Sequence, residues 1–139
     1  MKAFGFFEDL PHGLKGSGKL VAHRRDVVPC EARPCVASYL RNAYTVAATS
    51  AMADDGLNPE RTRISPINLK TDGEFVWPED LAYYVETYGL ELPLDLLERT
   101  RSCTPPDLTP DRVAAVRAWV MSGMHDDDVA GEAADWSVR

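Results

Sequence analysis

The residues that advertise chemistry most openly are Gly13, Gly18 and Lys19, in the stretch GLKGSGKL at 13–20. Two glycines five apart and then a lysine come close to a phosphate-binding loop, in which backbone N–H groups cradle phosphates and the lysine reaches their outer oxygens. That chemistry also needs a Ser or Thr hydroxyl to hold magnesium, and Leu20 stands in its place. The loop should leave a buried strand directly, yet Glu8, Asp9, Leu10, Pro11 and His12 intervene, and no later apolar strand ends in an aspartate suited to the metal. The stretch is read as a turn-rich connection whose glycines satisfy backbone geometry.

Nucleophilic chemistry is no better provided for. Cys35 with His23 as its base can be named, but a cysteine on a helix with an apolar face is more often part of a core. His12 and His125 fall in a loop and in the C-terminal tail. The three cysteines, Cys30, Cys35 and Cys103, cannot all pair within one chain, which suits free thiols in a reducing compartment. They and the scattered histidines do not form a converging tetrahedral set, so no metal and no cofactor is expected. Of the carboxylate clusters, Glu79-Asp80 reads as helix-start chemistry and Asp126-Asp127-Asp128 as solvation of a tail, with Asp54-Asp55 in a loop. No catalytic constellation emerges, and the expectation is a protein that is not an enzyme.

The aromatic residues Phe75, Trp77, Tyr83, Tyr84 and Tyr88 are of more interest, with a packed core as their default role. Tyr83 falls off the apolar face, beside Asp80 and Glu86. An exposed tyrosine among carboxylates suits recognition of a basic protein surface. The candidate partner-binding residues are therefore Asp72, Trp77, Asp80, Tyr83 and Glu86. The alternative is a small-molecule pocket, or a small enzyme's site, lined by Trp77, Tyr84 and Tyr88.

These residues need elements to position them. Lys2 to Phe7 reads as a short strand, and 17–26 leans to a short helix. From Pro34, the spacing of Val36, Tyr39 and Leu40 predicts an amphipathic helix. Tyr44, Val46 and Ala48 alternate as a strand, and 50–63 is a polar loop. Ile67 and Leu69, then Phe75 and Trp77, form the arms of a hairpin whose Asp72-Gly73 turn tolerates positive φ. Pro78 opens the clearest helix and Gly89 ends it, with Leu81, Tyr84, Val85 and Tyr88 on one face. Pro93 opens another helix with Leu94 and Leu97 inward. After the linker CTPPDLTP, Thr109 caps a last helix with Val113, Val116 and Val120 as its buried stripe. Strands and helices come in blocks, so the fold class is α+β: a small antiparallel sheet of three to four strands packed with three to five short helices. Residues 1–124 form the single domain and 125–139 an acidic, disordered tail.

At 139 residues the chain is long enough for one core. No apolar run approaches the roughly 18 residues a membrane span needs, and the apolar N-terminal piece is too short for a secretory signal. A cytoplasmic protein is expected. The net charge of −7 is unevenly placed: residues 1–70 carry ten Lys/Arg against seven Asp/Glu, and residues 71–139 five against fifteen. A half at −10 argues against binding nucleic acid and for a basic partner.

The segment LKTDGEFVWPEDLAYYVETYGLELPLDLLE at 69–98, preceded by VASYLRNAYTVAAT at 36–49, resembles small bacterial proteins with a T-D-G-x-x-x-W-P-x-x-L-x-Y-Y-V pattern. The matching residues are Thr71, Asp72, Gly73, Trp77, Pro78, Leu81, Tyr83, Tyr84 and Val85. Ala43 departs from it, since a glycine is expected after YLRN. These proteins are associated with the small cytoplasmic immunity-type proteins of toxin systems. The resemblance implies a shared α+β fold and an acidic inhibitor that covers a basic toxin or nuclease.

Overall fold

The computed structural model describes residues 1–124, and the expectation of a disordered tail over 125–139 lies outside the described residues. Ten regular elements follow in order: β1 Lys2–Ala3, α1 Arg33–Asn42, β2 Tyr44–Ala47, β3 Met52–Ala53, β4 Ser65–Pro66, β5 Leu69–Thr71, β6 Phe75–Pro78, α2 Asp80–Tyr88, α3 Leu94–Arg99 and α4 Pro110–Met121. Short 3-10 turns at Leu20–Ala22 and Thr100–Ser102 join them. The fold is α+β, as the block pattern predicts.

The sheet runs β1-β6-β5-β2, with β3 and β4 as a separate antiparallel pair. The hairpin forms where Asp72-Gly73 predicts it, with Thr71 opposite Val76 and Lys70 opposite Trp77. β1 pairs with β6 in parallel, so the sheet is mixed rather than antiparallel. Local patterning carries no trace of that contact, which joins segments more than 70 residues apart. Pro78 ends β6 opposite Leu69 instead of opening α2. Its ring costs no ladder bond at that position.

Two cores result. On one side α1 and α2 pack with the 4–28 segment, burying Phe7, Leu20, Tyr39, Leu40, Trp77, Leu81, Tyr84 and Val85. On the other side Val116 of α4 covers Phe6, Val46 and Val76, with Trp119 and Val120 partly buried beside it. Of the expected buried stripe Val113, Val116 and Val120, only Val116 is fully buried, and the Thr109 side chain caps α4 by accepting the Arg112 N–H at 3.1 Å. In α3 the inward residue is Leu96, while Leu94 is 68% exposed, correcting the expectation that Leu94 turns inward. A six-residue helix shows too little of its period to fix its phase.

The 13–20 stretch is folded against the chain's own carboxylates. Glu8 accepts the Gly16 N–H at 3.0 Å, and Asp9 accepts the Leu20 N–H at 2.7 Å. Two amides of the stretch, those of Gly16 and Leu20, are thus engaged by carboxylates. Gly13 is required for another reason: a Cβ there would overlap the Phe7 carbonyl.

The expectation of three free thiols is corrected. Cys35 and Cys103 form a disulfide, with Cα atoms 4.7 Å apart, and Cys30 is free and exposed. The odd count forbids complete pairing but not a single bond. His23 is accordingly no base for Cys35; its ring packs on Phe4 and Phe7 and its Nδ1 lies 2.8 Å from the Lys19 carbonyl.

Candidate functional site

Asp72 follows β5 in the hairpin turn, and its carboxylate is 2% exposed. Oδ1 accepts the N–H groups of Glu74 and Phe75 at 3.0 and 2.9 Å, an aspartate folding its own turn. Oδ2 accepts the Tyr39 hydroxyl and the Arg99 Nε–H, both at 2.7 Å. One buried carboxylate therefore joins the hairpin to α1 and α3. Burial and then the Asp72 charge push the Tyr39 phenol well above its usual value. Burial alone would lower the Arg99 guanidinium, but the hydrogen bond and charge of Asp72 outweigh it and raise the pKa.

Trp77 is fully buried, and its indole N–H donates to the Leu40 carbonyl at 3.0 Å. That carbonyl belongs to the last turn of α1, where no intrahelical donor remains. Ala43, the departure from the resemblance, closes α1 with φ −64° and ψ 164°, a conformation that needs no glycine. Lys70, which the sequence reading passed over, is buried beneath that helix end. Its ammonium donates to Thr45 Oγ1 at 2.8 Å and to the Ala43 carbonyl at 3.3 Å, with Glu79 3.6 Å away.

Asp80 opens α2, where the helix dipole favours a carboxylate, and it is completely buried. Its Oδ2 lies 2.8 Å from His12 Nε2, the side chain that covers it. Glu86 is exposed and pairs loosely with Arg41 at 3.4 Å.

Tyr83 does not project beside Asp80 and Glu86. Its hydroxyl donates to Asp55 Oδ2 at 2.8 Å, and the Tyr88 hydroxyl donates to the same oxygen at 2.6 Å. Asp55 Oδ1 accepts the N–H groups of Leu57 and Asn58 at 2.7 and 3.1 Å. The Tyr84 hydroxyl accepts the Gly56 N–H at 2.8 Å. Three tyrosines of α2 thus fasten the loop between β3 and β4. Desolvation raises Tyr84 strongly, while burial and the Asp55 bond raise Tyr88 to about 12.

Of the five residues proposed to meet a partner, Asp72, Trp77 and Asp80 are buried and Tyr83 is turned onto Asp55; Glu86 alone is exposed. They do not form one face. The pocket alternative fares similarly, since Trp77 and Tyr84 are fully buried and Tyr88 is engaged by Asp55.

A cavity of about 330 Å³ opens elsewhere, between β1, the hairpin turn and α3. Glu74, Asp95 and Glu98 supply carboxylates, Phe75 an aromatic wall, and Lys2 and Arg99 the cations. Arg99 is committed to Asp72. The Lys2 ammonium lies 3.4 Å from Asp95 and 6.0 Å from the centre of the Phe75 ring. Alternating charge at the ends of two distant segments left no sequence signal beyond the acidic balance of residues 71–139.

Among the described residues, no cluster of three His, Cys, Asp or Glu side chains is placed to hold a metal, and no helix is long and apolar enough to cross a membrane. No family model, curated protein or solved structure matches this chain.

Proposed function

We propose that this chain is a non-catalytic binding protein for a partner with a basic surface, in the manner of an immunity-type inhibitor. The observation that carries the reading is how the chain seats its own Lys2: one ammonium against the Asp95 carboxylate and near the Phe75 ring. A carboxylate beside an aromatic wall is what a lysine or arginine of a partner would seek, by ion pairing and cation–π attraction. The acidic balance of residues 71–139 supports it by favouring encounter with a cationic surface. The TDGEFVWPEDLAYYV resemblance supports it too, with the motif residues acting as the scaffold beneath the binding face rather than as the face.

Occlusion needs no reacting group, so the absence of a triad is no obstacle. The experiment is co-purification with the product of the neighbouring gene, using the unmodified chain and a double Asp95→Asn, Glu98→Gln variant. Retention that weakens at least tenfold in the variant and falls with salt supports the reading. A partner indifferent to both residues, or no partner, overturns it.

A cytoplasmic location belongs to the same proposal. There the Cys35–Cys103 bond would form against a reducing poise, and such bonds are transient or regulatory.

A further inference from the structure

We propose that Cys35 and Cys103 form a reversible thiol–disulfide switch that sets how firmly residues 100–109 are held to the body of the protein. Cys35 lies in the first turn of α1 and is half-buried, whereas Cys103 is exposed and follows the 3-10 turn Thr100–Ser102. Four residues after Cys35 comes Tyr39, and four residues before Cys103 comes Arg99. Those two side chains meet on Asp72 Oδ2. The joint between α1 and the end of α3 is therefore closed twice, once by a covalent bond and once by a shared carboxylate.

That duplication makes the bond reversible without loss of the fold. When the disulfide is reduced, Asp72 still holds Tyr39 and Arg99, which keeps the thiols near one another and makes re-oxidation intramolecular. The reduced state has a place in the structure as well. Cys35 Sγ lies 3.5 Å from the Thr100 carbonyl and 3.8 Å from that of Arg101, acceptors that a thiol can use and a disulfide cannot.

The chemistry balances with a thiol reductant of the glutathione class. Its thiolate attacks the exposed Cys103 Sγ, forming a mixed disulfide and releasing Cys35 as the leaving thiolate. The N-terminal turn of α1 favours that anion. A second reductant thiolate then attacks the mixed disulfide. Two electrons and two protons arrive at the pair, and two reductant thiols leave as their disulfide.

What the bond holds is the connection between α3 and α4. Between Cys103 and the cap of α4, residues 104–108 make no backbone–backbone hydrogen bond among the described residues. Leu108 rests on Gly73 of the hairpin turn. Reduction removes the covalent tether from this stretch and leaves the sheet and the α1–α2 core in place.

The test uses the full chain. Thiol titration of the native air-oxidised protein is expected to find one reactive cysteine, and three after reduction in denaturant. Hydrogen exchange followed by mass spectrometry should show the hydrogen-bonded amides of Thr100 and Cys103 exchanging at least tenfold faster after reduction by glutathione, with α1 and α2 unchanged. Glutathione disulfide should restore the slow rate. A Cys103→Ser variant should exchange fast in both conditions, and Cys30→Ser should behave as the parent. Tyr39→Phe, with its closure weakened, should re-oxidise several-fold more slowly. Three reactive thiols in the oxidised protein, exchange unchanged within twofold, or loss of protection throughout the chain on reduction would each overturn the proposal.

Discussion

Tyr39 and Arg99 meet on a single atom. The phenol of α1 and the guanidinium of α3 both donate to Asp72 Oδ2 at 2.7 Å, while Oδ1 folds the hairpin turn. Asp72→Asn keeps the shape but removes the charge and turns one acceptor into a donor facing Arg99 or the turn amides. Breaking a buried charged pair from one side costs about 3–5 kcal/mol, and the partial exposure of Arg99 brings the expected loss below that range, to about 2–3 kcal/mol. Urea unfolding measures it. A loss below about 0.5 kcal/mol would show that Asp72 is not the joint between these elements.

How legible this joint was in the sequence depends on distance along the chain. Asp72-Gly73 announced the turn, because an aspartate bonding to the amides after it is a local event. That the same aspartate also receives Tyr39 and Arg99 is tertiary, and no spacing rule reaches across 33 or 27 residues. The face of α2 was readable from Leu81, Tyr84 and Val85, all fully buried or nearly so. Asp80 was rightly seen as helix-start chemistry, but its burial under His12 was not visible. Asp55 had one usable signal: three tyrosines within six residues of one helix must place their hydroxyls somewhere, and buried phenols seek acceptors. The Cys35–Cys103 bond had no signal beyond the presence of cysteine.

The tyrosine cluster sets an alkaline limit on stability. A phenol whose pKa is raised on folding holds its proton more tightly in the folded state. Its contribution is whole below the unfolded value of about 10 and is lost as pH rises through the folded value. Tyr88, at about 12, contributes over that interval, and Tyr39 and Tyr84 shift in the same direction. Absorbance of phenolate should therefore show Tyr39, Tyr84 and Tyr88 titrating above 10 in the native protein and rejoining the ordinary range in denaturant. The unfolding midpoint should fall as pH passes 10. A native titration centred at 10 for all five tyrosines would contradict the buried network.

Asp55 fastens a loop, so its removal should be felt locally. Tyr88→Phe deletes one of its four donors and is expected to cost about 1 kcal/mol. Asp55→Ala frees Tyr83 and Tyr88 together and should increase hydrogen exchange across 54–63 at least tenfold while sparing α4. Equal exchange in the parent and the variant would mean that the backbone bonds of the loop, not the tyrosines, hold it.

The GLKGSGKL stretch separates a nucleotide-binding reading from a structural one by which residue matters. A phosphate loop depends on Lys19. The structure instead places Lys19 at the exposed surface, and packs Gly13 so closely on the Phe7 carbonyl that a side chain has no room. Lys19→Ala is expected to change unfolding stability by less than about 0.5 kcal/mol, as for other exposed positions. Gly13→Ala must displace the backbone at 7–13 and is expected to cost at least about 2 kcal/mol. Asp9→Ala is also expected to be costly, because the Leu20 amide it accepts would lose a charged acceptor worth about 1.5–3 kcal/mol when part-buried. Chemical denaturation of the three variants side by side gives the ranking, Gly13 and Asp9 above Lys19. If Lys19→Ala proves the most damaging, or if ATP with magnesium raises the melting temperature of the parent and not of that variant, the loop binds phosphate after all.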